Sequence, residues 1–301
     1  MESDLYFELD FMEGEAFMKE NINKKVFLNM QGEKDLVEFL NDHGLNHKNY
    51  HHYTDIDSAI KILNSGSLHL TRGNSMSIND YQECKKGSEE DWYKTYIASF
   101  GYGNNENMAM WGLYGLPWQN AVRISIPGSL MIKWINSINN IYSTSYENGT
   151  YMYNKLACKK NINLADIIYI AGDRSSQNLK LTWKDISMNV SENPQLLHID
   201  EKAEMTGYIK NSAWKYENEV RIRVYTQEKI NYEKISIQIP PEITEGITIT
   251  AGPYFKGNIA DIIEQKVTTP PRNILNSIFT NLVNYKSICK MCNYEFTNKI
   301  H

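Results

Sequence analysis

The sequence predicts an α+β fold, in which short antiparallel strands and helices follow one another without regular alternation. Several runs alternate apolar and polar residues with period two, and the clearest of them covers residues 121–126 and ends at Pro127. Helical patterns with recognisable ends lie between these runs, as at residues 34–43, which stop at Gly44. This irregular order of strand and helix signals is typical of the α+β class.

The remaining elements are predicted from the same two periods and from turn residues. A helix at residues 59–63 is capped by Asp55 or Asp57 and stopped by Gly66. Further strands are predicted at residues 50–54, 68–71, 96–100, 167–170, 235–239 and 247–250, and further helix at residues 257–267. Residues 128–213 are predicted to be mainly helical, from the patterns at 132–138 and 200–211, and residues 274–283 to be helical after Pro270-Pro271.

These patterns divide the chain into three parts. Residues 1–45 form an acidic N-terminal segment and a helix, residues 46–256 form a core with a helical insertion at about 128–213, and residues 257–301 form a C-terminal helical extension. Within the first part, residues 1–24 are predicted to form a strand followed by a helix, or to dock on a regulatory partner.

The net charge of −5 is concentrated at the N-terminus. Residues 1–20 hold seven acidic residues and one basic residue, which leaves 30 bases and 29 acids in the rest of the chain. Such a nearly neutral body does not require a nucleic-acid or membrane partner, although a local basic groove is compatible with these totals.

Targeting and cysteine signals predict a cytoplasmic protein. No apolar run reaches the roughly 18 residues that a membrane helix needs, and the acidic start lacks the basic and apolar regions of a secretory signal. Four scattered cysteines in a chain of this size are typical of a reducing compartment. Cys289 and Cys292 have C-x-x-C spacing without a second Cys/His pair nearby, so a structural role is favoured and no metal site is predicted.

Residues 214–223, WKYENEVRIR, place Glu217 and Glu219 two residues apart at the start of an alternating run. Residues two apart on a strand project from one face, so the two carboxylates are predicted to point together. Like charges side by side repel one another unless cations or chemistry compensate, and Arg221 and Arg223 continue the same face. The alternative is a solvated strand edge with alternating charges.

A second segment, His51-His52-Tyr53-Thr54, ends a predicted strand. If Tyr53 faces the core, His52 and Thr54 face the other side together and form one wall of a ligand site. The alternative is an ordinary surface or core histidine. Metal ligation by His52 is disfavoured because no carboxylate lies at motif spacing from it.

A third segment, residues 108–115, places Trp111 and Tyr114 three apart, on one side of a predicted helical turn. Its glycines would permit a flat ligand to approach the backbone, whereas a hydrophobic plug is the alternative interpretation. The sequence contains no GxxxxGK[ST], no GxGxxG after a strand, no GxSxG and no HExxH. These absences argue against P-loop enzymes, doubly wound dinucleotide folds, esterases and zinc peptidases.

Taken in order, these segments resemble known families. HYT at residues 52–54, followed by IL-x-x-G-x-L at 62–68, is similar to the first motif of the ADP-ribosyltransferase superfamily. The longer series resembles a bacterial domain family of unknown function, taken as a divergent branch of that superfamily. This series comprises HYT, IND-x-x-E at 78–83, SF at 99–100, MW-x-x-Y at 110–114 and W-x-x-E-x-E-x-R at 214–221. The resemblance covers roughly residues 50–255.

The resemblance implies split antiparallel sheets with flanking helices around a cleft for NAD. His52 would act in catalysis and hydrogen-bond a ribose hydroxyl of NAD. Tyr53 and Thr54 on the same strand, and Ser99 on another strand of the cleft, would be further cofactor-binding residues. Tyr114 would stack on nicotinamide, with Trp111 as the second choice. Other tyrosines compete with Tyr114 for that role, namely Tyr81, Tyr93, Tyr96 and Tyr102.

The resemblance also divides the two acids. Glu219 would bind the nicotinamide ribose and stabilise the cation that forms as the glycosidic bond breaks, and Glu217 would face the acceptor. The implied function is NAD-dependent transfer of ADP-ribose to a macromolecule, either protein or nucleic acid, with a toxin or phage-defence role by analogy. An antitoxin would then be a further partner. The alternatives are an NAD glycohydrolase and a non-catalytic module that binds a nucleotide or a protein.

Overall fold

A computed structural model describes residues 6–11, 14–17, 33–75, 89–147, 150–170, 178–184, 196–200 and 206–280. These residues form two sheets with helices packed beside them, which confirms the α+β class. All structural statements below concern these residues.

The strands, numbered in chain order, are β1 Tyr6–Phe11, β2 Gly14–Phe17, β3 Asn49–Asp55, β4 Ser67–Arg72, β5 Thr95–Tyr102, β6 Ala121–Pro127, β7 Tyr142–Glu147, β8 Thr150–Lys155, β9 Lys160–Asp166, β10 Ile168–Ile170, β11 Asn178–Lys184, β12 Leu196–Asp200, β13 Ile209–Asn211, β14 Glu219–Thr226, β15 Lys234–Gln238, β16 Thr248–Ala251 and β17 Asn273–Asn276. The α-helices are α1 Glu33–Gly44, α2 Ile56–Ser65, α3 Glu89–Lys94, α4 Met108–Tyr114, α5 Gly128–Ser137, α6 Pro241–Gly246 and α7 Ile259–Lys266. Two 3-10 helices cover Trp118–Asn120 and Ser212–Glu217.

The larger sheet has 11 strands and is mainly antiparallel. Its order is β17-β16-β6-β3-β5-β4-β15-β7-β8, and β14 joins it by pairing with β5 on one edge and β9 on the other. The smaller sheet has six strands in the order β12-β11-β1-β2-β10-β13. β14 and β13 bring the two sheets together, because side chains of both strands meet in the candidate site described below.

One large hydrophobic core covers the larger sheet, and buried side chains of α2, α5, α6 and α7 pack against it. A smaller cluster consists of Tyr53, Met110, Trp111 and Ala121, and it fixes α4 to β3 and β6. The helix after β3 begins as predicted. Asp55 caps it by accepting a hydrogen bond from the Ser58 amide at 2.8 Å, and Gly66 ends it with φ 56°.

The prediction that residues 128–213 are mainly helical is wrong after α5. From Tyr142 to Asn211, the regular structure of the described residues consists of strands β7 to β13. The sequence of β9, KNINLAD, alternates polar and apolar residues, and Asn148-Gly149 is a strong hairpin signal. Polar Asn, Ser and Thr residues obscured the period of two, and antiparallel pairing of β7 with β8 satisfies their backbone groups.

Both chain ends also differ from the prediction. Gly14–Phe17 is a strand that pairs with β1, so the acidic segment supplies the two central strands of the smaller sheet rather than a strand and a helix. Asn273–Asn276 is a strand rather than the start of a helix, because its backbone pairs in parallel with β16. Cys289, Cys292 and the IND-x-x-E motif lie outside the described residues.

Gly44 ends α1 as predicted, and its lack of a side chain also permits close packing on β9. A Cβ atom on Gly44 would lie 2.4 Å from the carbonyl oxygen of Leu164, a backbone atom that cannot rotate away. Gly112, within α4, offers a contrast because a Cβ atom there would meet no described atom within 4 Å.

We expect Gly44→Ala to lower the free energy of unfolding by about 1–3 kcal/mol, because the added methyl group pushes α1 away from β9. Gly112→Ala should be neutral or stabilising by up to about 1 kcal/mol, because alanine restricts the unfolded chain and has room in the helix. Urea denaturation of both variants measures the difference. Equal stability of Gly44→Ala and the wild type would contradict the close packing of α1 on β9.

Candidate active site

The structure brings Glu217 and Glu219 together, although not as neighbours on one strand face. Glu217 ends the Ser212–Glu217 3-10 helix, Glu219 begins β14, and Asn218 between them has φ 48°. The chain therefore turns at Asn218, and the prediction that a strand places both carboxylates is wrong for Glu217. Both carboxylates instead bind the Lys210 ammonium, with Nζ 2.5 Å from Glu217 Oε2 and 2.9 Å from Glu219 Oε2.

Two cations neutralise the two carboxylates inside the protein. Arg221 Nε donates to Glu219 Oε1 at 2.6 Å, and Arg221 Nη2 donates to Glu219 Oε2 at 3.2 Å. Lys210 comes from β13 and completes the cluster. All four side chains are at most 7% exposed, so the alternative of a solvated strand edge is wrong. Arg223 does not repeat this arrangement, because its Nε donates to the Thr206 carbonyl oxygen at 2.7 Å.

The environment shifts the pKa values of the two acids in opposite directions. Burial raises the pKa of Glu219, but the charges of Arg221 and Lys210 outweigh that effect, so the pKa lies well below its ordinary value. Burial also raises the pKa of Glu217, and Lys210 offsets this only in part, so the pKa of Glu217 stays above its ordinary value. Glu219 is therefore firmly ionised, whereas Glu217 takes up a proton more readily.

Helix α4 holds a tyrosine against this cluster. The Tyr114 hydroxyl donates a short hydrogen bond to Glu217 Oε1. Asn107 fixes the relative positions of the segments, because its side chain accepts from the Ala109 amide at 3.0 Å to cap α4 and donates to the Tyr216 carbonyl oxygen at 2.5 Å. The backbone amide of Asn107 also donates to the Tyr53 hydroxyl at 3.2 Å, so one residue joins β3, α4 and the 3-10 helix.

The two aromatic side chains of α4 occupy different environments. Trp111 is 3% exposed, its ring meets Tyr53 edge-on at 4.8 Å, and its indole Nε1 donates to Glu106 Oε2 at 3.0 Å. Trp111 and Tyr53 thus have the positions of core residues. Tyr114 is half-buried, so part of its side chain remains accessible.

His52 and Ser99 lie where the larger sheet opens. β3 pairs with β5 at Tyr102 and Gly101, and β4 pairs with β5 at Ile97 and Tyr96. The part of β5 that holds Ser99 lies between these two pairings, and Ser99 is exposed. His52 Nδ1 donates to the Ser99 carbonyl oxygen at 3.1 Å, and the Ser99 hydroxyl hydrogen-bonds Glu219.

The alternation predicted for β3 is confirmed, since Tyr53 is buried while His52 and Thr54 are half-buried. Burial lowers the pKa of His52, which keeps the ring neutral at pH 7. Because Nδ1 carries the proton that the Ser99 carbonyl oxygen accepts, Nε2 of the neutral ring is a hydrogen-bond acceptor. His51 has a different role, since its ring is buried and bonds to Ser125 Oγ at 2.9 Å and to the Gly103 carbonyl oxygen at 2.8 Å.

The structure therefore connects five of the predicted site residues, namely His52, Ser99, Tyr114, Glu217 and Glu219. Tyr114 bonds Glu217, Lys210 joins Glu217 to Glu219, and Ser99 joins Glu219 to His52. Sequence reasoning missed three contributors. Lys210 belongs to a strand of the other sheet, Asn107 caps the helix that carries Tyr114, and Tyr169 accepts the Glu219 backbone amide hydrogen at 2.8 Å through its hydroxyl oxygen. Asn107 and Tyr169 reach partners 50 or more residues away. Lys210 is seven and nine residues from Glu217 and Glu219, but it lies in a stretch predicted to be helical, where that spacing indicates no shared strand.

A second group of ligand-type side chains comprises His43, His47 and Asp166. Its signal in the sequence is the H-x-x-x-H spacing of the two histidines, and Asp166 lies more than 100 residues away from both. Cys158 is a half-buried free thiol, and burial raises its pKa, which favours the unreactive protonated form.

Residues 110–222 match the model of a protein family of unknown function, DUF2971. The match spans MW-x-x-Y and most of the WKYENEVRIR segment, whereas HYT precedes it. The chain is thus similar to a family without a known activity, and the resemblance to ADP-ribosyltransferases stays a prediction. No curated protein and no solved structure matches the chain. In the described part of the chain, no helix is both long enough and apolar enough to cross a membrane.

We expect Lys210→Met to destabilise the folded protein by about 3–5 kcal/mol at pH 7, because it leaves buried carboxylates without one of their cations. The matched control is Lys133→Met, which breaks an ion pair with Glu242 whose side chains are 59% and 52% exposed. That change should cost less than about 1 kcal/mol. Urea denaturation of both variants measures the difference.

The effect of Lys210→Met should depend on pH. The lowered pKa of Glu219 means that its ionised form stabilises the folded state above the ordinary glutamate pKa, and that this contribution is lost as pH falls. Without Lys210, the pKa values of both acids should rise. The loss of unfolding free energy caused by Lys210→Met should therefore be largest at neutral pH and shrink towards pH 4. A deficit that is independent of pH would show that the charge of Lys210 is not what matters.

Proposed function

We propose that this protein transfers ADP-ribose from NAD to a macromolecular acceptor, on a split antiparallel sheet of the ADP-ribosyltransferase type. The observation that carries the proposal is the grouping of His52, Ser99, Tyr114, Glu217 and Glu219, which come from separate segments and meet where β3 and β4 separate along β5. The resemblance assigns these same residues to one NAD cleft, and the hydrogen bonds that connect them support that assignment.

Glu219 is suited to stabilise positive charge on a ribose. Breaking the bond between ribose C1′ and nicotinamide sends the electron pair to nicotinamide, which leaves as a neutral molecule. The ribose then resembles an oxocarbenium ion, and a fixed carboxylate nearby stabilises it. The lowered pKa of Glu219 keeps that carboxylate ionised, and Arg221 holds it in place. The Tyr169 hydroxyl accepts from the Glu219 backbone amide and so fixes the main chain at this residue.

The opening at Ser99 supplies a route to Glu219. Lys210, Arg221 and Ser99 together occupy the acceptor positions of the Glu219 carboxylate. Ser99 is the exposed partner, so a ribose hydroxyl would replace the Ser99 hydroxyl there without disturbing the buried cations. His52 Nε2 would accept a second ribose hydroxyl, and the half-buried ring of Tyr114 would stack on nicotinamide.

Glu217 is suited to accept a proton from the incoming nucleophile. As the nucleophile forms its bond to C1′, its proton would pass to Glu217, whose raised pKa makes it a better base than an ordinary glutamate. Tyr114 orients Glu217 through Oε1, and Lys210 holds Oε2. The two acids are therefore tuned to different tasks by their surroundings.

NAD hydrolysis is the second candidate, and the burial of Glu217 favours it. Glu217 is 4% exposed and is bound by both Lys210 and Tyr114, so water reaches it more easily than the side chain of a macromolecule. Transfer to a macromolecule requires Tyr114 or the 3-10 helix to move so that an acceptor group can approach Glu217.

We expect Glu219→Gln to lower the rate of nicotinamide release from NAD at least about 100-fold, because it removes the charge that stabilises the ribose cation. Glu219→Asp keeps the negative charge but shortens the side chain, which moves the carboxylate away from the ribose. This variant should lower the rate of nicotinamide release while preserving the ion pairs. The control is Glu242→Gln, whose side chain is about half exposed and lies outside the site. Full turnover by a folded Glu219→Gln variant would remove the enzymatic proposal and leave a non-catalytic binding module.

Labelled NAD separates transfer from hydrolysis. If the protein is a transferase, cell extract should accelerate nicotinamide release and a protein or nucleic-acid fraction should carry the label, and Glu217→Gln should lower labelling more than release. If it is a glycohydrolase, release should be equally fast without extract. In either case the rate should fall as pH drops through the raised pKa of Glu217, because only its ionised form accepts a proton.

A further inference from the structure

Three ligand-type side chains meet at the C-terminal end of α1. His43 lies in the last turn of α1, His47 lies just beyond it, and Asp166 ends β9. Their ligating atoms all lie within 4.8 Å of one another. The two oxygens of the Asp166 carboxylate engage different rings, because Oδ1 lies 2.6 Å from His47 Nε2 and Oδ2 contacts His43 Nδ1.

We propose that His43, His47 and Asp166 bind one divalent transition-metal cation, with Zn²⁺ as the ion that fits their chemistry. Two imidazole nitrogens and one carboxylate oxygen form a donor set that zinc commonly uses. Bonds of about 2.0–2.2 Å in a tetrahedral arrangement place neighbouring ligands about 3.3 Å apart, so small rotations of these side chains accommodate the ion. Three protein ligands leave the fourth position to water.

The surroundings of the cluster hold its rings and leave one way in. The His47 ring stacks on Tyr102 with centroids 3.7 Å apart, and the His43 ring stacks on Phe39 at 5.6 Å. The side chains of His47 and Asp166 are each 6% exposed, whereas that of His43 is 19% exposed, so an ion enters past His43. A buried carboxylate that faces two imidazoles has the charge that such a cation neutralises.

The position of the site gives the ion a structural role. It would join the end of α1 to the end of β9, whose Asp166 lies opposite Val220 of β14. Val220 follows Glu219, and three residues after Asp166 comes Tyr169, whose hydroxyl binds the Glu219 amide. The cation would therefore stabilise the part of β9 and β10 that supports the candidate active site, without touching a substrate.

The test uses the untagged full-length chain with all four cysteines replaced by serine, so that thiolates cannot contribute. After treatment with a chelator, Zn²⁺ is added in isothermal titration calorimetry and Co²⁺ is followed by absorption. We expect one ion per chain and tetrahedral Co²⁺ bands. At a Zn²⁺ concentration about 100 times the Kd, the Tm should rise by about 5 °C.

Variants distinguish a metal site from a hydrogen-bonded cluster. His43→Gln should weaken Zn²⁺ affinity by more than about 100-fold. A residue that only hydrogen-bonds a metal ligand costs less than this when it is removed. Asp166→Asn preserves shape and should weaken it similarly, with folding of both variants checked by circular dichroism. His69→Gln, at an exposed strand position, is the control and should bind as the parent does. Absence of saturable binding, or unchanged affinity in both variants, would overturn the proposal.

Discussion

The buried cluster of Glu217, Glu219, Lys210 and Arg221 is the constraint on which the rest of the site depends. Charged groups removed from water must be paired, since a single unpaired charge in such a place costs several kcal/mol. The partners come from β13, the 3-10 helix and β14. These elements must therefore pack against one another in the arrangement that pairs every buried charge. Because β13 belongs to the smaller sheet and β14 to the larger one, the same ion pairs fix the two sheets to each other.

The same cluster makes two chemically similar acids unequal. Glu219 faces two cations and is held ionised, whereas Glu217 shares only Lys210 and its pKa stays above the ordinary value because burial outweighs that one cation. The difference arises from where Arg221 lies, because its guanidinium reaches Glu219 and forms two hydrogen bonds with it. A division of labour between a charge stabiliser and a proton acceptor thus follows from the packing of one arginine, whichever nucleophile the site uses.

The sequence predicted the parts of this site that depend on local geometry. Alternation along β3 placed His52 and Thr54 on one side, and the spacing of Trp111 and Tyr114 placed both on one helical turn. It did not predict Lys210, because Lys210 reaches the site only through the parallel pairing of β13 with β10, an interaction between distant residues. The strand at residues 167–170 was predicted and corresponds to β10, whereas β7 to β9 and β11 to β13 were missed for a related reason. Their polar residues weaken the signal of period two, and pairing between strands, rather than propensity, determines the structure.

The position of β14 between β5 and β9 explains how distant features act on one carboxylate. On the β5 side, Gly101 lies opposite Glu219, and Ser99 opens to solvent. On the β9 side, Asp166 lies opposite Val220, and the chain continues into the Tyr169 hydroxyl that accepts from the Glu219 amide. A shift of β9 along β14 would move Tyr169 and Asp166 together, because only two residues of chain separate them. The contacts of His43 and His47 with Asp166 therefore help to determine the backbone position of Glu219, although neither histidine touches it.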